Sequence, residues 1–114
     1  MSVKLSTRQV GDVSVVDVAG RITLGEGSSA LRDLMREMVG KGQKKILLNL
    51  GDVSYIDSSG IGELVSGFTT VTNSGGEMKL LNLNKRVKDL LQITKLYTVF
   101  DVHDEEAHAI RAFA

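Results

Sequence analysis

The chain is 114 residues long, and its 14 basic side chains are matched by 14 acidic ones, so its formal net charge is zero. One domain, residues 1–114, is expected at that length, and the charge balance offers nucleic acid and anionic membranes no basic excess to bind. The absence of cysteine excludes disulfides, thiolate metal sites and cysteine nucleophiles.

Proline is also absent, so breaks between elements must come from the twelve glycines and from Asn, Asp and Ser. Residues 3–18 read as β: Val13, Val15, Val16 and Val18 are β-branched and partly alternating, and Gly11-Asp12 predicts a hairpin turn before them. Gly20-Arg21-Ile22-Thr23 closes this region. Ala30, Leu31, Leu34, Met35, Met38 and Val39 then recur with the helical period and paint one face. Thr23-Leu24-Gly25-Glu26 has the form of a capping box at the entry of that helix, and Gly40-Lys41-Gly42 ends it. The apolar run 45–50 predicts a strand buried on both faces, followed by a polar loop over 52–60. A second helix carries Ile61, Leu64, Val65, Phe68 and Val71 as its apolar stripe and stops near Asn73-Ser74-Gly75-Gly76. Residues 77–83 predict the next strand. Asn84 caps a helix carrying Val87, Leu90, Leu91 and Thr94. Residues 97–102 predict the last strand, and 104–114 a closing helix with Ala107 and Ile110 inward.

The order ββαβαβαβα implies an α/β fold, with a mixed, mostly parallel sheet of about five strands packed by about four helices. Partners of such folds meet the loops beyond the carboxyl ends of the parallel strands, which points to 52–60. There the chain reads Asp52-Val53-Ser54-Tyr55-Ile56-Asp57-Ser58-Ser59-Gly60-Ile61-Gly62. Asp57, Ser58 and Ser59 are helix-capping residues, and Gly60 and Gly62 leave backbone exposed beside them. Free N–H groups and the positive end of the helix dipole tolerate an anion here. The residues alone leave two readings open. One is a well-capped helix, since Asp-Ser-Ser-Gly is common turn chemistry. The other is a phosphate acceptor, where phosphoserine would add about −1.5 to −2 charge at pH 7. The helix end accommodates that charge; a docked partner does not.

Gly20-Arg21-Ile22, the 52–62 motif, Gly75-Gly76-Glu77-Met78 and the apolar pattern of 87–96 together resemble a STAS domain of the anti-sigma factor antagonist family. The resemblance spans nearly the whole chain. It implies a binding module whose serine after the aspartate, here Ser58 with Ser59 as runner-up, is phosphorylated by a partner anti-sigma factor serine kinase. It further implies that the unphosphorylated form binds that kinase and releases the sigma factor, and that a PP2C-type phosphatase restores it. Carried over, the partner-binding residues are Thr23, Leu24, Gly25, Asp57, Ser58, Ser59, Gly60, Ile61 and Gly62. One stretch departs from the family pattern: Gly20-Arg21-Ile22-Thr23 has arginine where an acid is usual and threonine for aspartate. A related antagonist acting on a different kinase is therefore also open. So is a STAS scaffold, never phosphorylated, that builds stressosome-like or homo-oligomeric assemblies.

The remaining candidates read as structure. His103 and His108 lack the i, i+4 spacing of a helical metal pair, and no nucleophile-elbow pattern is present. Asp101, Asp104, Glu105 and Glu106 complement the dipole of the last helix. The pairs at Gly25/Gly27 and Gly75/Gly76 lack the Lys-Ser/Thr ending of a phosphate-binding loop. Aromatic residues make up 4% of the chain and Trp is absent, which leaves no stacking platform for bases or sugars. No window approaches the about 20 apolar residues of a membrane span, and Met1-Ser2-Val3-Lys4-Leu5 does not open a signal peptide. The expectation is a cytoplasmic, non-enzymatic binding module, a monomer or weak homodimer, with no cofactor, metal, nucleic-acid or membrane partner.

Overall fold

The computed structural model describes residues 3–113, apart from the Glu26 side chain. It opens on the expected hairpin. Strands β1 (Val3–Val10) and β2 (Val13–Ile22) pair antiparallel with Val10 opposite Val13, and Gly11 takes the turn at φ +62°. Then follow α1 (Glu26–Gly40), β3 (Lys45–Ile56), α2 (Ser58–Asn73), β4 (Glu77–Leu81) and α3 (Lys85–Ile93). A 3-10 turn at Leu96–Thr98, β5 (Val102–His103) and α4 (Glu106–Ala112) complete the order. The five strands lie side by side in chain order, and every pair except β1–β2 is parallel. This is the mixed, mostly parallel α/β sheet that the alternation of elements implies.

Alternation along β2 sorts its side chains into two apolar layers. Val16, Val18 and Ile22 join Ile46, Leu48 and Leu80 beneath Leu31 and Met35 of α1, Leu64 of α2 and Leu91 of α3. Val13 and Val15 turn the other way and meet Leu47, Leu81, Ala109 and Phe113. Burial on both faces explains why 45–50 is apolar without alternation. Polar contacts also hold α4: Arg8 on β1 reaches Asp17 at 2.7 Å and Glu106 at 2.6 Å, joining the edge strand to the last helix.

The structure corrects several local readings. Strand β3 continues to Ile56, so the expected loop over 52–60 shrinks to Asp57 between β3 and α2. The ladder with β2 persists through Ala19↔Asp52, Gly20↔Val53, Arg21↔Tyr55 and Ile22↔Ile56, and two register shifts, beside Leu50-Gly51 and at Ser54, accommodate the extra residues of β3. Conversely, 97–102 is strand only from Val102. Lys95, at φ +61°, follows α3 and leads the chain into the 3-10 turn, leaving Tyr97 and Val99 exposed. Phe100 is buried instead, packed edge-on against Phe68 at 5.5 Å. In α4 the inward alanine is Ala109; Ala107 is exposed, because the helix is oriented by Phe113 and Ala109 lies one turn before it. Strand β4 ends at Leu81 rather than at 83.

The capping box at 23–26 is replaced by backbone capping. Gly25 precedes α1, and Ser28 donates both its N–H (3.0 Å) and its Oγ–H (2.8 Å) to the Thr23 carbonyl. The Glu26 half of that box lies outside the described residues. At α3 the expected cap does form, with the Asn84 side chain accepting the Val87 N–H at 2.9 Å. Among the described residues no helix is long and apolar enough to cross a membrane.

Candidate partner-binding site

The end of β3 and the start of α2 form a corner with the end of β2. Asp57 builds it. Its extended backbone donates N–H to the Ile22 carbonyl (3.3 Å), one carboxylate oxygen accepts the Gly60 N–H (2.9 Å), and the other accepts the Leu24 N–H (3.2 Å). A single side chain therefore caps α2 and ties down the connection from β2 to α1. The approach is close enough to require glycine. A Cβ on Gly60 would stand 2.6 Å from Ile56 Cγ1 and nearer still to the Ile22 carbonyl oxygen.

These donors hold the Asp57 carboxyl below the ordinary aspartate range. The Gly60 N–H contributes most, opposed by partial desolvation and assisted by the N–H groups of Leu24 and Ser59. A carboxyl depressed in the folded state stabilises it above the unfolded value of about 3.9 and loses that stabilisation as pH falls through the folded value. Asp57→Asn is thus expected to unfold with a flatter dependence on pH below about 5 than the parent chain. Parallel slopes in acid urea titrations of the two proteins would refute this.

Ser58 is the first residue of α2. It is exposed, and its hydroxyl bonds to none of the described residues. Ser59, the runner-up, is half-buried. Around them stand Leu24, 78% exposed, then Gly25 at φ +99°, half-buried Thr23, and exposed Gly62. Gly60 and Ile61 are buried, so they shape the corner but offer a partner no side-chain surface. Thr23, Leu24 and Gly25, more than thirty residues from Asp57 in sequence, reach the site only through the β2–β3 register and the Leu24 hydrogen bond, a separation of 33 residues.

Beside this corner is a cluster that sequence reasoning passed over. The guanidinium carbon of Arg21 lies 4.8 Å from the centre of the Tyr55 ring, and that of Arg86 lies 4.9 Å from it. Arg21 and Tyr55 both fall within motifs singled out in the sequence, but only their cross-strand register shows that they touch. Arg86 arrives on the first turn of α3, and nothing local in its sequence signals the contact.

With this geometry in view, comparison with known proteins gives a consistent answer. The model of the STAS domain family matches residues 4–109. The anti-sigma-B factor antagonist of Bacillus subtilis is 32% identical over 102 residues, covering 90% of this chain and 92% of that protein. The crystal structure of a candidate anti-sigma factor antagonist from Thermotoga maritima superposes with a TM-score of 0.85 at 26% identity, covering 96% of this chain and 93% of that one. The phosphorylated form of the Bacillus cell fate determinant SpoIIAA shares the fold, with a TM-score of 0.74 at 20% identity over 95% of this chain and 97% of its own. The chain belongs to the STAS domain family.

Proposed function

We propose that this chain is an anti-sigma factor antagonist, a regulatory binding module and not an enzyme. With Ser58 unmodified it binds an anti-sigma factor that is itself a serine kinase, and the sigma factor is released. The kinase moves the γ-phosphoryl group of ATP onto Ser58 Oγ, ADP leaves, and the modified chain lets go. A PP2C-type phosphatase hydrolyses the ester and resets the module.

The Ser58 hydroxyl carries this reading. It is exposed and bonds to none of the described residues, at the start of a helix whose preceding corner is held by three hydrogen bonds. A kinase can reach it, and a phosphate there costs the fold no existing bond. The antagonist names of the relatives support the reading, as does the Asp57-Ser58-Ser59-Gly60 motif. The direct test is to incubate the purified chain with ATP and the anti-sigma-type serine kinase encoded in the same genome, then map the product by fragment-ion mass spectrometry. One phosphate on Ser58 is expected; phosphate confined to Ser59 or elsewhere, or none, overturns the assignment.

A further inference from the structure

We propose that Arg21, Tyr55 and Arg86 form an acid-reading patch that selects the protein partner by carboxylates on its docking segment, with the groove beside Arg86 taking an apolar side chain of that segment. The proposal rests on the reading of this chain as a protein-binding module and adds the chemistry of the partner.

The first observation is charge pairing. Arg8, Arg32, Lys45 and Lys79 all reach carboxylates within the chain. Arg21 and Arg86 reach none among the described residues, although both are exposed. They converge on one ring, each less than 5 Å from its centre. Their charges are therefore closer together than the screening length of about 10 Å at 0.1 M salt. Two like charges so placed repel, and the negative face of Tyr55 offsets part of that cost. Their N–H donors bond to none of the described residues and suit the bidentate geometry that guanidinium offers a carboxylate. An anion bridging both would relieve the repulsion.

The second observation is position. Arg21 and Tyr55 pair one rung before Ile22 and Ile56, and the Ile22 carbonyl accepts the Asp57 N–H. The patch and Ser58 therefore share one end of the sheet, and a partner gripping that end meets both. The third is the groove along α3, lined by Lys85, Arg86, Asp89, Leu90 and Ile93, with Ile93 78% exposed. Lys85 and Asp89 neutralise each other at 3.0 Å, so Arg86 is the uncompensated charge at its rim. An apolar strip edged by Arg86, with Arg21 across the Tyr55 ring, complements an amphipathic acidic segment. A free phosphate would use the arginines alone and leave Ile93 in water.

The test has two arms. In the first, the full chain is titrated calorimetrically against the purified anti-sigma factor serine kinase of the same genome. Arg21→Glu and Arg86→Glu should each weaken binding about tenfold or more, and the parent affinity should fall with added salt more steeply than that of the double variant. Lys41→Glu, at the opposite end of α1, serves as a control and should change nothing. These titrations are run without ATP, so Ser58 stays unmodified throughout and the patch is separated from the phosphorylation switch. Arginine variants that bind within about twofold of the parent, or more tightly, overturn the proposal.

A parent chain that does not bind this kinase defeats the antagonist reading, and the second arm then decides the patch alone. Isotope-labelled protein is titrated by NMR with a helical peptide carrying leucines and glutamates at i, i+4, with its glutamine counterpart, and with inorganic phosphate. Resonances of Arg21, Tyr55, Arg86 and Ile93 should move together with the glutamate peptide only. An equal response to the glutamine peptide, phosphate binding as tightly as the peptide, or no response at all overturns the proposal.

Discussion

Ser58→Asp is expected to weaken binding of the anti-sigma factor kinase about a hundredfold or more, because desolvating an added charge costs a few kcal/mol. Ser58→Ala should keep binding permanently on. The corner explains both. Asp57 is already held in its ionised form by the N–H groups of Gly60, Leu24 and Ser59. A second negative group beside it turns one fixed charge into a concentrated one, where a partner meets a neutral hydroxyl in the unmodified form. Phosphoserine carries up to about two charges, so aspartate understates the effect of phosphorylation. The fold should tolerate either change, since the hydroxyl makes no bond to a described residue and a negative group is favoured at the start of α2. Both variants should therefore unfold within about 0.5 kcal/mol of the parent. Calorimetric titration reads the affinities, and an aspartate variant that binds within about threefold of the parent removes the charge-based switch.

The parts of this molecule that could be read in its sequence are those set by local chemistry. The Gly11-Asp12 turn, the stripes of α1 and α2, and the Asn84 cap each depend on residues within one or two turns of each other, and each is present. The polar stretch 52–56 misled because its composition suits a loop, while its fate was settled by a partner strand more than thirty residues earlier. Once Ala19 to Ile22 offer a ladder, burial of Val53 and Ile56 makes strand the better state. The run 97–102 failed in the opposite direction. Its β-branched residues favour a strand, but of this run only Val102 joins the ladder with β4, and the apolar anchor Phe100 packs on α2. At the site, the motif located Asp57 and Ser58. The Leu24 hydrogen bond and the stacking of Arg21 on Tyr55 are products of register, that of Arg86 is a product of how α3 packs, and no spacing in the chain encodes them.

Gly60→Ala should destabilise the protein by about 3 kcal/mol, at the upper end for overpacking, because one of the atoms in the way is backbone. Gly60 lies in α2 without a positive φ, so its own backbone would accept alanine. The obstacle is purely steric: the new methyl group would meet the Ile22 carbonyl oxygen and Ile56 Cγ1, with Ile22 Cγ2 at 3.0 Å on a third side. Ile56 is fully packed and cannot swing away. The Ile22 carbonyl can retreat only by stretching its bond from the Asp57 N–H, which also disturbs the carboxylate that caps α2. Stability and partner binding should therefore fall together in this variant. Gly62→Ala gives the comparison within the same helix turn. Nothing stands within 4 Å of its added Cβ, so the helix should gain about 0.5–1 kcal/mol. Urea unfolding with unchanged m-values measures both. If Gly60→Ala is as stable as the parent to within about 0.5 kcal/mol, the corner is looser than its distances indicate, and a rigid platform beneath Ser58 can no longer be argued.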